Sequence, residues 1–130
     1  MAHSFPIRVY YEDTDLAGIV YYANYLRYIE RARTEWVRSL GIDQARLRAD
    51  EGIVFAVRRV VADYLSPARF DDLLTVETAP VSATPARVVL RQTVRRAGTV
   101  LFVAEVTLAA LTASGRPARL PASLRRALET

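Results

Sequence analysis

The chain has 130 residues, 52% of them hydrophobic, with no cysteine, a single histidine and a formal net charge of +4 at pH 7. That length and apolar content support one domain, residues 1–130, with a core that needs no staple. The composition excludes a disulfide scaffold, and no apolar run approaches the roughly 20 residues of a membrane span.

All 18 basic residues are arginine. Such uniformity reflects composition more than a nucleic-acid partner, and no basic-aromatic platform accompanies it. The N-terminus, MAHSFPIRVYYED, lacks the basic start and apolar centre of a signal peptide. We therefore expect a soluble, cytoplasmic protein. His3 is expected in a mobile tail, which argues against a Ser-His-Asp or Cys-His triad and against zinc. Catalysis would rest on carboxylates, hydroxyls, arginines and backbone dipoles, with no metal and no cofactor.

In chain order, Pro6–Tyr11 alternates with period two and predicts a strand. The acidic stretch EDTDLAG (Glu12–Gly18) breaks it into a turn. From Asn24 to Leu40 the period becomes helical. Tyr25, Ile29, Ala32, Trp36 and Leu40 share a face with Tyr28 and Val37 beside them, and Arg27, Glu30, Arg31 and Arg38 carry the polar side. Asn24 is the predicted N-cap, and Gly41 stands where a C′ glycine belongs. A shorter helix is expected over Asp43–Asp50.

Strand-like stretches follow over Ile53–Leu65, Leu73–Val81, Ala86–Arg96 and Val100–Ala113. Ala97-Gly98 makes a hairpin between the last two. A short terminal helix is expected over Pro121–Leu128. One long helix must bury its apolar face on an antiparallel sheet, an α+β arrangement. Apolar groups left over on the strands point to a homo-oligomer, dimer or tetramer.

The chemistry concentrates before the long helix. Unpaired N–H groups at a helix start carry partial positive charge. A carboxylate beside them suits chemistry on a carbonyl. Asp15 is the candidate; its ordinary alternative is a turn or capping aspartate. Asp13 reads as a structural turn residue. Gly18 either admits a ligand closely or simply makes the turn. Glu30 and Glu35 on the helix are rival carboxylates, but Arg27, Arg31 and Arg33 nearby favour a solvated ion-pair face. Arg87, Arg91 and Arg95 share one side of a strand and could hold phosphates or form an outer face. Arg58, Arg59 and Arg69 are further basic candidates.

The run Asp15-Leu16-Ala17-Gly18-Ile19-Val20-Tyr21-Tyr22-Ala23-Asn24-Tyr25 resembles the YbgC and 4-hydroxybenzoyl-CoA thioesterase group, and Ala62–Thr78 resembles that group's strand–loop–strand. The resemblance implies a hotdog fold, a curved antiparallel sheet wrapped around one helix, assembled as dimers and often tetramers. It implies hydrolysis of an acyl-CoA, short-chain or aromatic, to free acid and CoA. Asp15 matches the family's catalytic carboxylate. Tyr22 matches the position whose backbone N–H polarises the thioester carbonyl. Many YbgC-type members carry histidine there, a change to which a backbone role is indifferent. Gly18, Arg59, Arg87 and Arg91 would contact the substrate. The alternative is a non-catalytic acyl-CoA or acyl-carrier-protein binding module.

Overall fold

A computed structural model describes residues 2–128. Its elements run β1 (His3–Arg8), α1 (Asn24–Ser39), α2 (Gln44–Glu51), β2 (Val54–Tyr64), β3 (Leu73–Ala83), β4 (Arg87–Arg96), β5 (Thr99–Leu111) and α3 (Ala122–Leu128). The strands form one five-stranded sheet in the order β1-β3-β4-β5-β2. Every pairing is antiparallel.

Periodicity explains the layering. On α1, Tyr25, Tyr28, Ile29, Ala32, Trp36 and Val37 are buried. Facing them are Leu74 and Val76 of β3, Val88, Leu90 and Val94 of β4, and Phe102, Ala104, Val106, Leu108 and Ala110 of β5. Each large side chain so buried contributes about 1.5–3 kcal/mol. Irregular registers at Val57/Arg59, Pro80/Ser82 and Val94/Arg95 interrupt the ladders. Such bulges bend and twist strands, and Pro80 has no N–H to give the ladder. The sheet curls around α1 accordingly, giving the hotdog architecture. Between β4 and β5, Ala97 (φ 48°) and Gly98 (φ 89°) form the expected two-residue turn, whose left-handed backbone matches the strand twist.

Four expectations need correction. The first strand begins at His3 and ends at Arg8, and Tyr11–Asp13 is a 3₁₀ turn. The Asp13 carboxylate accepts the Tyr10 N–H at 2.9 Å, which pulls the chain out of the extended form. His3 is not in a mobile tail but half-buried and paired opposite Thr78, because β1 extends back along the edge of β3. Asn24 is not the N-cap. Ala23 holds that position with no side-chain cap, and Asn24 Nδ2 instead donates to the Asp13 carbonyl at 2.8 Å. Arg33 does not join a solvated face. It is buried under α1, where its Nη1 donates to Gln92 Oε1 at 2.9 Å.

Candidate active site

Residues 9–23 connect β1 to α1, and a tight turn forms within them. Asp15 N–H donates to Ile19 O, and Gly18 N–H returns to Asp15 O, both at 2.9 Å. Gly18 takes φ 78°, which favours glycine. A Cβ there would meet nothing within 4 Å, so the turn conformation and not a crowded contact explains the residue. The turn is pinned to the β2–β3 loop, since Val20 N–H donates to Ala68 O at 2.8 Å.

The Asp15 side chain stands exposed at the mouth of this turn. Its Oδ1 accepts the Ala17 N–H at 3.0 Å. Its Oδ2 has no partner among the described residues. One oxygen thus orients the carboxylate and the other is free for chemistry.

Tyr22 lies two residues before the first turn of α1, and its ring is exposed. Its backbone is held on both sides. Tyr21 N–H donates to Asp13 O at 2.9 Å, and the Tyr64 hydroxyl donates to Tyr22 O at 3.0 Å. Among the described residues no acceptor takes the Tyr22 N–H. It is therefore available to a ligand oxygen at the positive end of the helix.

Asp15 and Tyr22 line one cleft of about 380 Å³ with Ile19, Val20, Tyr21, Tyr25, Tyr64 and Leu65. Four of its ten lining residues are tyrosines, and Tyr25 is packed onto the core. The Tyr25 ring stacks on Phe102 at 5.1 Å, and its hydroxyl accepts the Ala68 N–H at 2.9 Å. Burial raises the Tyr25 phenol, outweighing the Ala68 bond. Burial, then Tyr22 and Tyr25, raises the Tyr64 phenol, so both stay protonated at neutral pH. Behind the acidic turn, the buried Tyr28 hydroxyl finds no hydrogen-bond partner among the described residues. Its phenol is pushed well above the ordinary value by burial and then by the Asp13 carboxylate.

Two larger hollows, each about 480 Å³, lie elsewhere. The one holding His3 has no carboxylate among the described residues of its wall. In the other, Asp43 caps α2 by accepting the Arg46 N–H at 3.0 Å. In that second hollow the carboxylate serves as the N-cap of α2, and no aromatic side chain lines it among the described residues.

The other candidates separate. Arg59 and Arg87 meet with Arg58, Ser82, Thr84 and Thr107 in a groove of about 280 Å³ on the face of the sheet away from α1. Arg91 points to the same face, but its guanidinium pairs with Glu105 at 3.6 Å. Arg95 pairs with Glu77. Glu35 pairs with Arg38, and Glu30 accepts the Thr34 hydroxyl at 3.0 Å. None of these helical groups reaches the Asp15 cleft. Sequence reasoning missed Tyr64 and Tyr25 as parts of the site. The available signal was a tyrosine closing the strand-like stretch two residues before Ser66-Pro67.

Known proteins sharpen this picture. The sequence model of the thioesterase superfamily matches residues 17–103. The acyl-CoA thioesterase YbgC of Haemophilus influenzae is 43% identical over 106 residues, 82% of this chain and 78% of that protein. The acyl-CoA thioester hydrolase YbgC of Escherichia coli O157:H7 is 40% identical over 121 residues, 92% of this chain and 90% of its own length. The crystal structure of a probable thioesterase from Bartonella henselae superposes with a TM-score of 0.90 at 36% identity, covering 93% of this chain and 100% of the other. The chain belongs to the thioesterase superfamily and is a thioester hydrolase of hotdog fold.

Proposed function

We propose that the chain hydrolyses an acyl-CoA thioester to a free acid and CoA, with Asp15 as the reacting carboxylate. The observation that carries this is the pairing, in one aromatic cleft, of a half-free carboxylate with an unclaimed N–H at a helix start. The thioester carbonyl oxygen would accept from the Tyr22 N–H. As the carbonyl carbon becomes tetrahedral, negative charge grows on that oxygen. One preorganised donor stabilises such charge by about 3–4 kcal/mol.

Asp15 Oδ2 then has two routes. As general base it takes a proton from water, whose oxygen bonds the carbonyl carbon. As nucleophile it bonds that carbon itself, and water later cleaves the mixed anhydride. In both, the C–S bond breaks, the electron pair leaves with sulfur, and the CoA thiolate gains a proton. The aromatic lining suits an aromatic or short acyl group. Arg59 and Arg87, with Arg91 further along β4, would hold the phosphates of CoA in the outer groove.

We also read the chain as a homo-oligomer. β2 is an edge strand, and Val57, Val60, Val61, Tyr64 and Leu65 are 40–61% exposed along it. An uncovered apolar edge invites pairing with a second copy. Because β2 carries both Arg59 and Tyr64, such a dimer would border the groove and the cleft.

The test is release of free thiol from short-chain, long-chain and aromatic acyl-CoAs, wild type against Asp15→Asn. The variant keeps size and removes charge. Wild type should turn over at least one thioester, and Asp15→Asn should lose about 100-fold or more in kcat. A folded, equally active variant refutes the role of Asp15. Binding of CoA esters without turnover would favour a binding module.

A further inference from the structure

We infer that Tyr64 is a positioning residue for this reaction: from the end of β2 its hydroxyl holds the Tyr22 carbonyl, and so constrains the backbone of residue 22 with its N–H facing the cleft. The inference rests on the reading of Tyr22 given above.

Three observations on the start of α1 lead to it. First, the start has no side-chain cap, since Ala23 occupies the N-cap position. Caps normally satisfy these N–H groups and fix their direction. Without one, the direction must be set elsewhere. Second, the flanking peptides are held from two distant places. On the N-terminal side the Asp13 carbonyl takes both the Tyr21 N–H and Asn24 Nδ2, at 2.9 and 2.8 Å. On the C-terminal side the only side chain on the Tyr22 carbonyl, among the described residues, is Tyr64, 42 positions away in sequence, at 3.0 Å. Third, the Tyr64 ring is braced on one side by the core. Its ring packs edge-on against Phe102 at 4.9 Å and Tyr25 at 5.4 Å, both of which belong to the buried core.

The consequence is electrostatic as well as geometric. The Tyr22 carbonyl borders the cleft in which an oxyanion would form, and an unpaired carbonyl dipole there would oppose the growing charge. A hydroxyl donating to it offsets part of that dipole. Tyr64 touches no reacting atom in this scheme. It acts through the backbone of Tyr22.

The test is Tyr64→Phe, which removes one oxygen and keeps the ring contacts. The probes are benzoyl-CoA and butyryl-CoA, with thiol release as readout and Asp15→Asn assayed in parallel. For whichever ester wild type turns over, kcat should fall about tenfold, because a small misplacement of a reacting group is felt strongly, while KM stays within about twofold. In the amide nitrogen spectrum of the ligand-free protein, the Ala23 resonance should move when its peptide carbonyl loses the bond, with resonances of β3 and β4 unchanged. Unchanged kcat, or a rise in KM alone, overturns the inference. So does a kcat loss with the Ala23 resonance unmoved, since the loss then arises elsewhere. If Tyr64→Phe does not fold, 3-fluorotyrosine placed at position 64 keeps the ring and strengthens the donor. A kcat altered by more than about twofold then supports the inference, and an unaltered kcat overturns it. If wild type hydrolyses neither these nor other CoA esters, or if Asp15→Asn is fully active, the underlying function fails and not this step alone.

Discussion

Gln92→Leu tests what holds α1 on the sheet. Gln92 is fully buried in β4, and its three side-chain hydrogen bonds join separate layers. Nε2 donates to the Ile29 carbonyl of α1 at 2.8 Å and to Thr78 Oγ1 of β3 at 2.9 Å. Oε1 accepts from Arg33 Nη1 at 2.9 Å. Leucine has similar volume, so packing changes little. The polar consequences dominate. Arg33 loses its one neutral acceptor among the described residues while remaining 9% exposed. A buried charge stripped of its partner costs about 3 kcal/mol. The stranded Thr78 hydroxyl adds about 1 kcal/mol. The Ile29 carbonyl loses only a second bond. The expected loss is therefore about 4 kcal/mol, a drop in Tm of about 15 °C for a chain of this length.

Urea denaturation followed through the single, buried Trp36 gives the number directly. The same reasoning makes a sharper demand. The triple variant Arg33→Met, Thr78→Val, Gln92→Leu removes all three polar side chains together. It should recover most of the loss, since an apolar set of matched volume replaces a buried polar one at little net cost. A Gln92→Leu variant within about 1 kcal/mol of wild type would refute the argument. So would a triple variant as unstable as the single.

Two further outcomes follow from the surface groups. Replacing Arg59 and Arg87 with glutamine should raise KM for CoA esters about tenfold, leave kcat within about twofold and flatten the salt dependence of KM; Arg91→Gln, whose charge is already shared with Glu105, should change KM less, and equal effects would show that the groove is not where phosphates sit. Asp72 ties the β2–β3 loop to β4, accepting Arg69 N–H and Arg96 Nη1, both at 2.8 Å. Burial alone would raise its carboxyl, but these donors and the Arg96 charge outweigh it and hold it below the usual range. A folded pKa below the unfolded one gives stability that is present above the unfolded value and is lost as pH falls through the folded one. Asp72→Asn should thus cost about 1 kcal/mol at pH 7, and the gap to wild type should close in acid, below the ordinary carboxylate range. A gap independent of pH would contradict the linkage.

What could be read from the sequence depended on whether the cause was local. The buried face of α1 lies within one amphipathic period, and the Ala97-Gly98 turn needs only its own two residues. Both were legible. The first strand was misplaced because its true partner, β3, lies seventy residues away and pairs with His3 as readily as with Arg8. Asn24 was misassigned because its amide answers to Asp13, an acceptor that exists only once the acidic turn has folded. The Arg33–Gln92–Thr78 set leaves a trace in the sequence. Arg33 stands four residues from Ile29 and four from Val37, on the apolar stripe. Gln92 stands between Leu90 and Val94 in strict alternation. A polar residue in an apolar register is a buried polar residue, and such residues come in bonded sets.

The candidate site divides along the same line. Asp15 and Tyr22 fall within eight consecutive residues, so one turn and one helix start suffice to bring them together. The groove of Arg59 and Arg87 needs β2, β5 and β4 side by side, with Arg59 opposite Thr107 and Thr107 opposite Val89. No local pattern encodes that order. Tyr64 is the intermediate case. It is remote in sequence, yet it acts on a backbone carbonyl, a group that every residue carries. A site that relies on main-chain dipoles tolerates a change of side chain at position 22, and it moves the constraint to whatever orients that main chain. In the mechanism proposed, the constraint falls on Asp13, Asn24 and Tyr64. Substitutions there should disturb turnover more than substitutions of the Tyr22 side chain itself.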